Sequence, residues 1–412
     1  MTQTSPAKIQ RNAIFLVLVA SLGYFVDIYD LLVFSIVRVP SLKAIGVTSP
    51  DLLKAKGEFI ISVQMFGLLL GGLVWGIIGD KFGRIKVLFG SILLYSLANF
   101  ANGLVHDVNM YALIRFIAGL GLAGELGAGI TLVSETLSKE NRGYGTMIVA
   151  VIGLFGATAA FFVAKEGWRM AYFVGGGLGI LLLLLRIGTF ESGMFKNLEE
   201  KSSVSKGNFL MLFTSWERLK KYLCCILIGA PLWYVVGVLI SFSDRFGAAL
   251  GAKIPLSPAD GVFYSYIGIA VGDIFAGLLA QLTRSRKLTM TIFLILSLAS
   301  VVLYLRAVNI TPEHFRVLAF IMGCTVGYWA TFVTIASEQF GTNIRSTVTT
   351  TVPNFVRGSL IPIIAVFNIF EKNYSIINAG YIMMIILTAI ALIALSQLKE
   401  TFGKDLDYLE VS

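Results

Sequence analysis

Long runs of apolar residues separated by short polar stretches set the pattern of this chain. A bilayer core takes about 20 apolar residues of helix, and runs of that order recur near 12–37, 58–78, 86–104, 109–134, 144–164, 168–190, 222–242, 261–282, 288–307, 313–337, 347–370 and 376–397. The pattern predicts an all-α membrane protein with twelve transmembrane helices. The first run follows Lys8 and Arg11, as the core of a signal peptide would. It is too long for that role and continues through "GYFVDIYDLLVF", so it reads as a retained first span.

A hydrophilic stretch, 191–221, divides the chain into an N-terminal six-helix bundle over 1–190 and a C-terminal six-helix bundle with a short tail over 222–412. Within it "LEEKSSVSKGN" suits a disordered linker. In "FLMLFTSWERLKK", Phe209, Leu212, Phe213, Trp216 and Leu219 recur at helical spacing opposite charged positions. That is the pattern of a helix lying on a membrane surface.

Composition agrees with the pattern. Of 412 residues 56% are hydrophobic and 14% charged, against about 25% charged in soluble domains. The net charge of +9 would point to nucleic acid in a soluble protein; here the position of the basic residues gives it another meaning, and no nucleic-acid partner is expected. Lys81, Arg84 and Lys86 follow span two, Lys139 and Arg142 follow span four, and Arg284, Arg286 and Lys287 follow span eight. With Lys8, Arg11, Lys399 and Lys404 they place both termini in the cytoplasm, of a bacterial inner membrane by expectation. Arg38, Lys43, Lys54 and Lys56 fall on outer connections, so the rule holds as a bias. Cys224, Cys225, Cys324, His106 and His314 lack the spacing of a metal site or disulfide framework, and no metal or cofactor is expected.

"GLGLAGELGAG", 119–129, satisfies G-x-G-x-x-G, yet a dinucleotide turn needs a strand before it and a helix after it. Here the glycines lie inside an apolar span. Gly119, Ala123 and Gly127 form one column at i+4, and Gly121, Glu125 and Gly129 another, so they read as helix-packing positions. The chain has no G-x-x-x-x-G-K-[ST] to bind ATP.

The two halves repeat. At an offset of about 201 positions, Gly76 falls on Gly277, Asp80 on Gln281, Lys86 on Lys287 and Arg115 on Arg316; two positions more carry Glu135 and Arg142 onto Glu338 and Arg345.

These residues carry a resemblance to the major facilitator superfamily over essentially the whole chain. "GIIGDKFGRIK" resembles that family's loop signature, with Ile85 where a basic residue is usual and Lys86 one step later. "RFIAGLGLAGE" resembles its span-four motif, and "SETLSKENRG" the segment after it. "FESGMF" resembles its Pro-Glu-Ser segment, with Phe190 for proline. The resemblance implies two pseudo-symmetric six-helix bundles that alternate access to a central cavity lined by spans one, four, seven and ten.

Physical chemistry assigns gating to Gly76, Asp80 and Arg84 at the end of span two. Asp80 can face a helix N-terminus or an arginine of the other half while one side is closed. Glu135 with Arg142, and Glu338 with Arg345, are expected to pair as further latches. Intramembrane charges are functional candidates by default. Asp27 and Asp30 share a face of span one, and Asp30 lies at a depth similar to Arg115 of span four, so those two can pair. Asp30, Asp27, Arg115 and Glu125 are the proton-coupling candidates. An aspartate of span one facing an arginine of span four resembles the proton switch of sugar-porter-like members, and "DIYD" resembles the span-one signature of aromatic-acid and metabolite proton symporters.

Arg357 in "PNFVRGS" lies at mid-depth and needs a counter-charge: Glu125, Asp273 or the solute. With Glu125, Tyr24, Trp233, Tyr328 and Trp329 it forms the substrate-binding set; Tyr29 and Tyr234 lie at the same level, where packing is the competing role of the aromatics. Asp273, among the glycines of span eight, is either a functional charge or only a hydrogen-bond partner of a neighbouring helix. The expected function is proton symport of a small carboxylate-bearing or zwitterionic solute into the cell, by a monomer. The rivals are export of a metabolite, siderophore or drug, against which "VIGLFGATAA" lacks the antiporter Gly-Pro motif, and a receptor or enzyme on the same fold, for which no nucleophile–base grouping exists.

Overall fold

The computed structural model describes residues 6–137, 141–187, 209–404 and 408–410, without the side chains of 6–13 and 142. Twelve helices among them are long and apolar enough to cross a membrane. Spans one to six are Ile14–Ala44, Pro50–Phe82, Arg84–Asn102, Val108–Thr136, Gly143–Ala164 and Trp168–Leu185. Spans seven to twelve are Trp216–Ile240, Pro258–Thr283, Arg286–Leu305, Pro312–Glu338, Arg345–Asn373 and Ile376–Gln397. An even number of crossings leaves both chain ends on one face, here the terminus face; the other is the far face.

Spans two and four touch backbone to backbone because glycines remove the side chains between them. A Cβ on Gly119 would stand 3.2 Å from Leu68 N, and one on Gly71 would meet Leu120 Cα at 2.9 Å. Spans eight and ten repeat the contact, Gly272 against Cys324 and Gly323 against Ser265. The repeat therefore has a packing cause, close helix approach through small residues. Its arithmetic is partly corrected: Arg316 is half exposed and pairs with Asp260 at 2.8 Å, so it is no counterpart of the buried Arg115.

Three spans of the second half are discontinuous. Span seven is built from Trp216–Leu227, Ala230–Tyr234 and a π-helical turn, Val235–Ile240. Span ten breaks between Val326 and Trp329, and span eleven at Ser359. Asp273 Oδ1 accepts from the Ala330 backbone N–H at 3.0 Å, a carboxylate at the buried start of Trp329–Glu338. Of the two roles weighed for Asp273, the structure shows the hydrogen bond to a neighbouring helix.

Residues 191–208 of the expected linker lie outside the described residues. The stretch read as one surface helix is divided: Phe209–Phe213 is a single 3-10 turn, and Trp216 opens the helix that continues as span seven.

Candidate functional site

On the terminus face the halves meet through spans two and eleven and through spans five and eight. A Cβ on Gly76 would lie 3.0 Å from Thr347 Cα and 3.2 Å from its carbonyl oxygen, so a side chain there would force the facing backbone to give way. Asp80 Oδ1 accepts from the Ser346 N–H at 3.1 Å, and Oδ2 from the Thr347 N–H at 2.7 Å and its hydroxyl at 2.6 Å. A carboxylate thus caps the first turn of span eleven, where backbone N–H groups have no helical partner. Gln281, its counterpart in span eight, lies against Gly143 at the start of span five.

The arginine latches differ from expectation. Arg84 Nη2 donates to Glu135 at 2.9 Å and lies 3.5 Å from Asp80, while Arg345 of the other half reaches the same Glu135 oxygen at 3.3 Å. Arg142 carries no described side chain, so its pairing with Glu135 lies outside the described residues. The pairing of Glu338 with Arg345 is corrected: Glu338 takes both bonds from Arg286, at 2.7 and 2.9 Å. Arg286 follows span eight as Arg84 follows span two, so each half holds an equivalent pair and Arg345 is left to cross between halves. Glu135→Gln leaves two buried guanidinium groups facing a neutral side chain. Labelling of a cysteine placed between the halves on this face should rise about tenfold, the effect of one weakened charge-assisted contact of about 1.4 kcal/mol. Unchanged labelling would make Glu135 a static support.

The far face is closed as well. Arg38, 2% exposed, donates to Asp244 and to the Ser241 carbonyl across the halves, both at 3.3 Å. Lys54 pairs with Glu371 at 3.3 Å, and Arg245 reaches Glu371 and Glu58. Two of the basic residues that blurred the charge rule are therefore bonded in closure.

Between the two seals lies the centre. Arg115 is fully engaged: Nη1 donates to Asp30 Oδ1 at 2.8 Å, Nη2 to the Asp30 carbonyl at 2.9 Å and Nε to Gln64 Oε1 at 3.2 Å, with the guanidinium 5.6 Å over Tyr172. The expected pair of Asp30 and Arg115 is present. Arg357 is held more loosely: Nη2 donates to Asp27 Oδ2 and Nη1 to Asn354 Oδ1, each at 3.3 Å, while Arg357 Nε and Asp27 Oδ1 have no partner among the described residues. Its counter-charge is Asp27, not Glu125 or Asp273. Glu125 is taken by Arg186 of span six, whose Nη1 donates to Oε2 at 2.9 Å and Nη2 to Oε1.

The aromatics divide. Trp233 and Trp329 lie edge to face at 6.3 Å, with the Arg357 guanidinium 5.8 and 5.6 Å over their rings. Both stand on the broken spans seven and ten. With Tyr24, Ile28, Leu154, Leu232, Tyr266 and Ile269 they enclose about 10 Å³, room for about one water. Tyr328 turns instead to Phe293 of span nine. Tyr29 donates to the Ala171 carbonyl at 2.8 Å and Tyr234 to Gly380 at 3.0 Å, so both are bonded within their own bundles. Sequence reasoning missed Gln64, Arg186 and Asn354. Arg186 ends the apolar run of span six, where a basic residue ordinarily reaches water.

Comparison with known proteins agrees with this architecture. A family model described as Major Facilitator Superfamily matches residues 20–365. The 3-(3-hydroxy-phenyl)propionate transporter of Escherichia coli (strain K12) is 28% identical over 58% of this chain and 59% of its own. The sialic acid transporter NanX of the same organism is 27% identical over 64% of this chain and 66% of its own. The chain thus spans less than two thirds of the length of these relatives. The solved proton:xylose symporter XylE, bound to 6-bromo-6-deoxy-D-glucose, superposes with a TM-score of 0.75 at 16% identity, covering 96% of this chain and 98% of that one. The twelve spans, the two sealed faces and the family match over residues 20–365 lead to one assignment: this chain belongs to the major facilitator superfamily.

Proposed function

We propose that the protein imports a small carboxylate-bearing solute together with a proton, and that its terminus face lies in the cytoplasm of a bacterial inner membrane. The observation that carries this reading is the difference between the two central arginines. Arg115 has every nitrogen bonded at 2.8 to 3.2 Å, whereas Arg357 Nε has no partner among the described residues and Nη2 holds Asp27 by a single long bond. A guanidinium cannot be deprotonated in a protein, so a mid-membrane arginine must always have an anion. A solute carboxylate can take that place bidentately once Asp27 is neutralised by a proton. Proton and anion then enter together: protonated Asp27 releases Arg357, the solute engages it, and solute departure restores the ion pair. The two tryptophans supply apolar and cation–π surface for the rest of the solute. Both relatives named above transport acids, which supports the anionic class.

The halves rock between the sealed faces. Any motion that separates Asp30 from Arg115 alters that carboxylate's proton affinity, since a neighbouring guanidinium favours the ionised form. Purified protein in vesicles, given labelled aromatic and sugar acids with and without an inward pH gradient, tests the proposal. Uptake should require the gradient, and Asp30→Asn should abolish gradient-driven accumulation while sparing solute exchange. Uptake indifferent to the gradient would remove proton coupling; full accumulation by Asp30→Asn would remove Asp30 from it.

A further inference from the structure

Span three crosses the N-terminal bundle with Tyr95, Ser96, Asn99 and Asn102 on one helical face, all fully buried. Tyr95 Oη, Ser96 Oγ and both amide atoms of Asn99 and Asn102 have no hydrogen-bond partner among the described residues. Each orphaned buried polar group costs about 1–3 kcal/mol, and in lipid no surrounding solvent lowers the cost. Such a column is too costly to persist as packing alone. It runs about 10 Å from Tyr95 to Asn102 at 1.5 Å per residue. Its facing wall is span six, where Gly175 and Gly179 carry no side chains: a Cβ on Gly175 would stand 3.3 Å from Asn99 Nδ2, and one on Gly179 3.2 Å from the Tyr95 ring.

Acids stand beside Asn99 and beside Tyr95. The Asn99 amide approaches Asp30 without closing a hydrogen bond, and Asp30 Oδ2 is likewise without a partner among the described residues. Tyr95 lies within electrostatic reach of Glu125 and Arg186 and of Asp27 and Asp30. The charged groups around the column are Asp27, Asp30, Arg115, Glu125 and Arg186, with Tyr29 beside Asn99 at Gly175.

We propose that this column on span three is a proton relay joining Asp30 to Glu125 inside the N-terminal bundle, apart from the solute's path between the halves. The proposal rests on the proton-coupled reading above. Tyr95 and Ser96 hydroxyls carry the proton, and the Asn99 and Asn102 amides order the waters that complete the file. In transfer, Asp30 loses one proton, each hydroxyl or water gives its own forward as it accepts one from behind, and Glu125 gains one. Arg115 holds Asp30 and Arg186 holds Glu125 in the closed arrangement. Each guanidinium competes with a proton for its carboxylate, so the relay does not leak while both pairs are closed. Opening of one pair at a time admits or releases the proton.

The test uses Tyr95→Phe, Asn99→Leu and the triple variant with Ser96→Ala, in vesicles. These swaps conserve shape and remove orphaned polar atoms, so thermal stability should hold or rise. Accumulation driven by a pH gradient should fall about tenfold or more in the triple variant, the scale of a lost proton-transfer group. Solute counterflow at equal pH, which needs no net proton movement, should stay within about twofold of wild type. If wild type ignores the pH gradient, the coupling reading fails and the relay with it. Should wild type respond while the variants accumulate solute normally, the relay alone is overturned. A parallel loss of accumulation and counterflow would make the column structural and also overturn it. Tyr95→Phe, which removes one hydroxyl, decides the matter if the triple variant does not fold.

Discussion

Arg357→Ala should abolish binding of a carboxylate solute, lowering affinity by about a thousandfold or more, the scale of losing one partner of a buried charge pair at roughly 4 kcal/mol. Arg357→Lys should fall between, because a point charge replaces a planar fork. The partner observed for Arg357 sharpens the expectation. Asp27 competes with the solute for one guanidinium, so affinity should rise as pH falls and Asp27 becomes neutral. Asp27→Asn removes the competitor: affinity should become independent of pH and stay at the wild type's low-pH level. Asp27→Asn with Arg357→Gln leaves no buried charge unpaired, so it should fold at least as well as either single variant, yet still fail to bind a carboxylate. Recovery of binding in the double variant would mean that Arg357 serves only Asp27. Normal transport of an uncharged or cationic solute by Arg357→Ala would sink the anionic class itself. Titration of purified protein with labelled acids across pH 5 to 8 reads each of these outcomes.

How much of this could be read from the residues depends on range. The twelve spans were legible because helix satisfies its own backbone within one segment, and lipid demands that satisfaction. Their ends were not. Span two runs from Pro50, well before the apolar run near 58, because Asp51, Lys54 and Lys56 sit on helix beyond the apolar core. The breaks in spans seven, ten and eleven were also hidden. Ser359 looks like an ordinary small residue, and so does Gly327 until the carboxylate of Asp273 is seen bonded to the helix that restarts beyond it.

Ion pairing followed the same division. Asp30 and Arg115 lie in one bundle, and depth along two helices was enough to join them. Asp27 with Arg357, and Arg345 with Glu135, cross between bundles. Those choices depend on how the halves dock, which spacing along the chain does not encode. Arg186 was missed because a basic residue at the end of a span ordinarily reaches the interface, whereas here it turns inward to Glu125. The column on span three gave no signal in sequence either, since serine, asparagine and tyrosine are unremarkable until their partners are counted.

Gly76→Val should stop transport while leaving the solute site intact. The Cβ alone would lie 3.0 Å from the Thr347 Cα, and the atoms it meets are backbone at the first turn of span eleven, held by three hydrogen bonds to Asp80. Backbone pinned in that way cannot yield as a flexible side chain can, and valine adds two more methyl groups. Overpacking of this kind costs about 1–3 kcal/mol in a core free to adjust. Here the clash exists only in the arrangement closed on the terminus face, so the whole cost falls on one side of the conformational equilibrium. About 3 kcal/mol against closure shifts that equilibrium by roughly 150-fold. Turnover should fall by a comparable factor, since each cycle must pass through closure on this face. A cysteine between spans two and eleven should label at its maximal rate, and a carboxylate solute should still bind from the terminus side with near wild-type affinity. Wild-type turnover would show that spans two and eleven need not approach this closely during transport. Loss of binding together with turnover would mean that valine disrupts the bundle instead of holding one face open.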